Sequence, residues 1–232
     1  MIKGHATYFL EPDVDTDIII PARFLKRTSL GGFEPFSFFE RRYLPSTICE
    51  PTMEQNDFVF QKKEINPDFI PNHPNCADAT FLLTWLNFGC GSSREHAVYS
   101  LLNYRVIIGS APKGKAAFAD IFRDNCRQNL IWTPVLKEED HKILSDFLQK
   151  EIKNRKVTLI LDPKNLTLSD EDKNFNFNFE IPENHLTYLL GEEKNPFAIA
   201  QREIEADIKE IEDWSQKNQA TVKKYPTTAN AS

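Results

Sequence analysis

No two cysteines in this 232-residue chain stand at C-x-x-C spacing; the four it has, Cys49, Cys76, Cys90 and Cys126, are scattered. Zinc and iron–sulfur sites usually draw at least two ligands from one short fixed spacing, so no metal site built by this chain alone is expected. No apolar run approaches the roughly 20 residues that span a bilayer, which argues against a membrane segment. An excess of basic residues is missing too: the net charge of −6 runs against nucleic acid as the main partner, because phosphates call for a basic face. The opening residues MIKGHATYFLEPDVDTDIIIP lack the basic-then-apolar order of an export signal, since Asp13, Asp15 and Asp17 interrupt them. Free thiols in a reducing cytoplasm are therefore the expectation. Low-complexity tracts and internal repeats are absent, which excludes fibres and solenoids. Glycine is scarce, with 8 in all, so a place where two fall close together carries information.

What is present suits a globular enzyme-sized domain. Hydrophobic residues make up 41% of the chain and phenylalanine occurs 18 times, enough for a substantial core. Residues 5–10 read as a strand, and the capping residues of DVDTD precede IIIPARFL, a short helical turn. From Lys26 to about Pro74 the pattern is weak, with prolines and aromatics suggesting ordered loops and short helices. The middle alternates: a buried strand at 79–88, a helix at 94–104, a strand at 105–110, a helix at 115–129 and an extended run at 130–136. That alternation predicts an α/β fold, with a parallel or mixed sheet flanked by helices. A helix at 137–153 follows. KVTLILD, NLTLSD and NFNFNFEI then form a β-meander, the last two alternating apolar and polar residues. PENHLTYLLG reads as a capped helix ending at Gly191, and 197–214 as an amphipathic helix docking on its own domain. The expected organisation is one domain over 1–214 with a polar tail at 215–232.

The two close glycines fall in NFGCGSSREHA, Asn87 to Ala97. Gly89 and Gly91 sit where a buried strand meets a helix, and glycines there allow a sharp turn and close approach of a ligand to the backbone. The following helix start offers unpaired N–H groups, and Arg94 adds a forked positive charge suited to a carboxylate. The same residues also fit a plain capping box, Ser92 with Glu95, in which the glycines merely turn the chain. Neither the dinucleotide-binding nor the P-loop fingerprint is present. The G-x-S-x-G elbow of hydrolases is excluded because Cys90 occupies its central position. DVDTD is not a calcium loop: counting from Asp13, the sixth position is Ile18 rather than Gly and the twelfth Phe24 rather than Glu.

NFGCGSSREHA resembles the signature of the aconitase superfamily's swivel domain, and in particular the small-subunit family of 3-isopropylmalate dehydratase. VDTDIIIPARFLKR (14–27), NPDFIPN (66–72) and FADIFRDN (118–125) agree with that family in the same order, so the resemblance spans most of residues 5–213. It implies a swivelling β/β/α domain that docks on a large subunit carrying a 4Fe–4S cluster. The paired subunits would isomerise a small hydroxy-dicarboxylate by loss and re-addition of water, in leucine biosynthesis. The resemblance places the base on Ser92 and substrate-carboxylate contacts on Ser93 and Arg94. It places substrate choice in Phe24, Leu25, Lys26 and Arg27, and makes Asp15, Asp17, Gly89 and Gly91 residues that shape the site. A serine is a poor base at neutral pH unless its alkoxide is stabilised, and no His or Asp relay stands beside Ser92 in sequence. His96 and Cys90 read as packing residues. Two stretches depart from the family pattern. SAPKGKA is inserted before FADIF, with Ala117 where a serine is usual, and GEEKNPFAIAQ replaces the usual C-terminal segment. Both bear on substrate choice and docking more than on the reaction class. Homoaconitate, citramalate/citraconate or dimethylmalate as substrate, or a non-catalytic anion-binding module, are the competing readings.

Overall fold

A computed structural model describes residues 1–27, 31–52, 57–92 and 94–191. Met1–Leu189 form one compact unit. The helix expected at 197–214 and the tail at 215–232 lie outside the described residues.

The strands are β1 (Ile2–Tyr8), β2 (Ile48–Pro51), β3 (Phe58–Lys62), β4 (Ala79–Leu83), β5 (Val106–Ile108), β6 (Val135–Leu136), β7 (Thr158–Asp162), β8 (Thr167–Asp170) and β9 (Asn176–Glu180). The α-helices are α1 (Thr16–Ile19), α2 (Phe39–Arg42), α3 (Glu95–Tyr99), α4 (Asp120–Gln128), α5 (Glu138–Glu151) and α6 (Glu183–Leu190). Seven strands form one mixed sheet in the order β5-β4-β1-β7-β8-β9-β6. β1, β4 and β5 run parallel, and β7, β8 and β9 continue from β1 as an antiparallel meander. The two ends of that order meet. Ile107 N–H donates to the Trp132 carbonyl at 2.8 Å and Leu136 N–H to that of Gly109 at 3.0 Å, so the segment holding β6 pairs with β5 as well as β9. Closing the sheet on itself satisfies the backbone groups that an open edge would leave bare.

Burial follows the sequence pattern. β5 is a continuous apolar triplet, Val106–Ile108, and all three side chains are buried, as befits a strand covered on both faces. In β9 the pattern NFNFE buries Phe177 and Phe179 and exposes the residues between them, the alternation of a strand with one wet face.

The mixed α/β architecture agrees with the sequence expectation, but several elements differ in extent. The helix expected at 94–104 occupies only Glu95–Tyr99. Ser100 closes it, its hydroxyl donating to the Ala97 carbonyl at 2.8 Å, and Leu101 stays buried from a turn rather than a helix. α4 starts at Asp120 rather than 115, because the carbonyls of Ala116 and Ala117 accept from the N–H groups of Asn87 and Phe88 at 3.0 and 2.9 Å. β1 begins earlier than expected, and the hairpin β2–β3 was not anticipated at all.

That hairpin caps a second apolar centre. Phe24 is 0% exposed, with its ring 4.5 Å from Phe36, 4.8 Å from Phe39 and 4.8 Å from Phe58. Phe60 and Tyr43 extend the cluster, their rings 5.2 Å apart. Aromatic pairs at these spacings contribute about 0.5–1.5 kcal/mol each beyond area burial. Part of the phenylalanine content is thereby accounted for: it holds residues 24–27, 33–43 and 58–60 together where regular structure is short.

Candidate active site

The segments that follow β1, β4 and β5 converge beyond the carboxyl ends of these parallel strands, where open α/β sheets commonly bind ligands. Backbone bonds join the first two segments. Gly89 N–H donates to Val14 O at 2.8 Å and Thr16 N–H to Cys90 O at 2.9 Å, a short parallel bridge that ties DVDTD to the glycine turn. The third is bound to the same turn, since Ala119 N–H donates to Phe88 O at 3.1 Å. Between α1 and the 89–94 turn on one side and the start of α4 on the other lies a cavity of about 260 Å³. Thr16, Ser92, Arg94, Asp120 and Asn125 supply its polar lining.

The glycines serve the turn in two ways. Gly89 has φ +79° and Gly91 φ +88°, a region that costs ordinary L-residues about 1–2 kcal/mol. At Gly89 there is also no room: a side-chain carbon would overlap the Phe122 ring. Past the turn, Ser92 is exposed, and its hydroxyl makes no hydrogen bond among the described residues. Ser93 lies outside the described residues.

The expected helix-start chemistry of α3 is corrected. Its N-cap is Arg94, not Ser92, and carries no side-chain cap. No capping box forms, because Glu95 turns away to accept from the Asn129 amide at 3.2 Å. A single turn of helix also contributes little dipole. Positive charge at the site comes instead from the Arg94 side chain, which lines the cavity and whose Nη1 pairs with Asp17 of α1. Asp15 accepts from Ile18 N–H at 2.7 Å as the N-cap of α1. The two aspartates therefore do different things: one starts a helix, the other aims an arginine.

Cys90 and His96 take packing positions. Burial, with Asp15 and Asp13 nearby, pushes the Cys90 thiol above its ordinary range, and its Sγ contacts the Asp13 carbonyl at 3.4 Å. The His96 ring sits edge-on to Phe33 at 5.5 Å.

The expected specificity segment divides sharply. Ala22–Lys26 form a 3-10 turn. Phe24 points into the aromatic cluster, so it does not face ligand in this chain. Arg27, with a side chain 7% exposed, pairs with Asp57 at 2.7 Å and lies over the rings of Phe33 and Phe36 at 4.8 and 5.0 Å. It fastens its own loop, and a buried guanidinium so engaged has no free edge for a substrate. Leu25, half-buried, and Lys26, exposed, are the members of that group open to a ligand. Residues 28–30 lie outside the described residues.

Thr16, Asp120 and Asn125 were missed by sequence reasoning. Thr16 and Asp120 stand inside the quoted motifs, but nothing in spacing alone says which side chains of a short helix face a turn some 75 residues away. Among the described residues no group of three or more His, Cys, Asp or Glu side chains could hold a metal ion, so these residues do not fit a 4Fe–4S cluster. No described helix is long and apolar enough to cross a membrane.

Comparisons with known proteins bear on the family and the fold. The aconitase C-terminal domain family matches residues 2–139. The 3-isopropylmalate dehydratase small subunit of Staphylococcus haemolyticus (strain JCSC1435) is 39% identical over 179 residues, covering 76% of this chain and 78% of that one. Small subunit 2 of the same enzyme in Salmonella choleraesuis (strain SC-B67) is 39% identical, with 75% and 74% covered. In fold, the crystal structure of 3-isopropylmalate dehydratase from Methanocaldococcus jannaschii matches with a TM-score of 0.55 at 20% identity, covering 89% of this chain and 98% of that one. The chain belongs to the aconitase C-terminal domain family, among the small subunits of 3-isopropylmalate dehydratase.

Proposed function

We propose that this chain is the small subunit of an isopropylmalate isomerase, a hydro-lyase that interconverts 2- and 3-isopropylmalate in the cytoplasm and works only when paired with a large subunit. The observation that carries this reading is the meeting of Ser92 and Arg94 on one cavity, in a chain of this family. Ser92 Oγ takes the carbon-bound proton of the hydroxy-diacid as hydroxide leaves the adjacent carbon; in the re-addition hydroxide joins the carbon that lost the proton, and Ser92 returns a proton to the carbon that lost the hydroxyl. Arg94 and Ser93 hold a substrate carboxylate, with Arg94 pre-aimed by Asp17. Leu25 and Lys26 face the rest of the substrate, one apolar and one cationic, which suits a branched alkyl group beside a second carboxylate. The family resemblance assigns the cluster to the large subunit, and the share of this chain is confined to moving a proton, binding carboxylate and excluding water.

Mixing this chain anaerobically with a cluster-loaded large subunit, and following 2- and 3-isopropylmalate beside homoaconitate and citraconate, tests the reading. Isopropylmalate should turn over, and Ser92→Ala should lower kcat by at least about 100-fold while the complex still forms. Preference for another diacid would change the substrate but keep the chemistry. A Ser92→Ala complex with full turnover would remove Ser92 as the base.

A further inference from the structure

The Ser92 cavity is lined by a residue whose hydroxyl no described residue uses. Thr16, the first residue of α1, is 2% exposed, and its Oγ1 has no hydrogen-bond partner among the described residues. Burying a hydroxyl without a partner is unfavourable, and valine would fill the same volume without that penalty. Thr16 lines the cavity, and its hydroxyl lies 3.8 Å from where a side chain on Gly91, another lining residue, would begin.

A second feature faces it. α4 is nine residues long and starts without a side-chain cap, its N-cap being Ala119. Ala119, Asp120, Ile121 and Phe122 all line the cavity, so the uncapped first turn opens into it. The first N–H groups of a helix have no partners within it and carry partial positive charge. Asp120 is the one acidic group on the lining; its side chain is exposed, where solvent screens its charge, and Arg94 offsets it from the facing wall.

We infer that Thr16 Oγ1 and the uncapped start of α4 together form a receptor for a substrate carboxylate, beside Arg94 in the Ser92 cavity. The inference rests on the proposed function and deepens it: the anion is held by α4 and not by the short helix that follows the serines. Thr16 donates its hydroxyl proton to a carboxylate oxygen and is thus a binding residue. The base remains Ser92.

The test uses the assembled heteromer. Thr16→Val keeps shape and removes only the hydroxyl. KM for isopropylmalate should rise about 10- to 100-fold, the loss of one hydrogen bond to a charged group, with the midpoint of thermal unfolding unchanged or higher. Thr16→Ser, which restores the hydroxyl, should return KM to within about threefold of the parent. A KM unchanged in Thr16→Val would overturn the inference and leave the hydroxyl as a water site only. Ser92→Ala is measured alongside: if it abolishes turnover while Thr16→Val changes nothing, the inference fails and the proposed function stands. Should neither substitution affect turnover, Ser92 is removed as the base together with the inference; should the parent heteromer turn over no isopropylmalate, the proposed function itself fails. If Thr16→Val does not fold, Thr16→Ala paired with Thr16→Ser gives the same comparison.

Discussion

Replacing each glycine of the turn by alanine separates backbone strain from lack of space. At Gly91 the added carbon would stand 3.3 Å from the Asp15 Cβ, a tight contact that a small shift relieves. Only the φ of +88° then weighs against alanine, about 1–2 kcal/mol. At Gly89 the φ of +79° imposes the same strain, but the added carbon would also lie 2.5 Å from Phe122 Cδ2 and 2.6 Å from its Cβ. Phe122 is 3% exposed and packed on Phe88 at 5.4 Å, so it has nowhere to go. Overpacking of that kind adds about 1–3 kcal/mol, bringing Gly89→Ala to about 2–5 kcal/mol. In a domain this size each kcal/mol moves the thermal midpoint by about 2–4 °C. The midpoint followed by circular dichroism should therefore fall by about 4–20 °C for Gly89→Ala and about 2–8 °C for Gly91→Ala. Equal losses at the two positions would refute the steric part of this reasoning, and no loss at either would refute the strain.

Three further outcomes are expected. Asp17→Asn should change stability by less than about 1 kcal/mol, because its carboxylate is more than half exposed, yet raise KM about three- to tenfold as Arg94 loses its tether; a lower KM would mean that the carboxylate repels substrate more than it aims the arginine. Stability should decline on acidification. His141 is buried, donates from Nε2 to the Thr84 carbonyl at 2.6 Å, and is held below its ordinary pKa by burial; His185 is shifted the same way by burial and then by Arg123. The unfolded chain takes up these protons more readily, so the stabilisation is full above about pH 6.5 and is lost as pH falls through the folded values. Denaturant titrations at pH 7 and pH 5 should show a smaller difference for His141→Gln than for the parent, and an equal difference would exclude His141 as a titrating group. Asp57→Asn, finally, should cost about 1–3 kcal/mol by leaving the Arg27 guanidinium buried without its counter-charge; a change within 0.5 kcal/mol, roughly the size of a surface effect, would show that the rings alone hold it.

Much of the fold was legible in sequence because it is carried by local pattern. The alternation of 176–180, the apolar triplet at 106–108 and the strand–helix alternation between 79 and 136 each state their own environment. What was hidden depends on partners distant in sequence. Ala116 and Ala117 favour a helix, yet their carbonyls are taken by Asn87 and Phe88, and α4 starts late. β2 and β3 are short and largely exposed, and they gain their place from the phenylalanines beneath, which have no period. At the site, Ser92, Arg94 and the two glycines stood out because an uncommon composition was packed into a few residues. Phe24 and Arg27 were read as facing a ligand because a motif says which residues matter and not which way they point. Thr16 and Asn125 stood inside quoted motifs, but nothing local marked them as residues that line the cavity.

The two apolar centres have a bearing on how substrate preference can change. The turn that carries Ser92 is sewn to the 14–16 segment and to 118–119 by main-chain bonds, independent of which side chains occupy those positions. Residues 22–27 are anchored mainly by rings and an ion pair contributed from 33–58. A new side chain at Leu25 or Lys26 can be grafted onto this platform, or the platform exchanged as a cassette with its own phenylalanines, without re-aiming the serine. Under the roles proposed for Leu25, Lys26 and Ser92, the scaffold lets an enzyme of this kind diversify toward other diacids while its reaction is inherited unchanged.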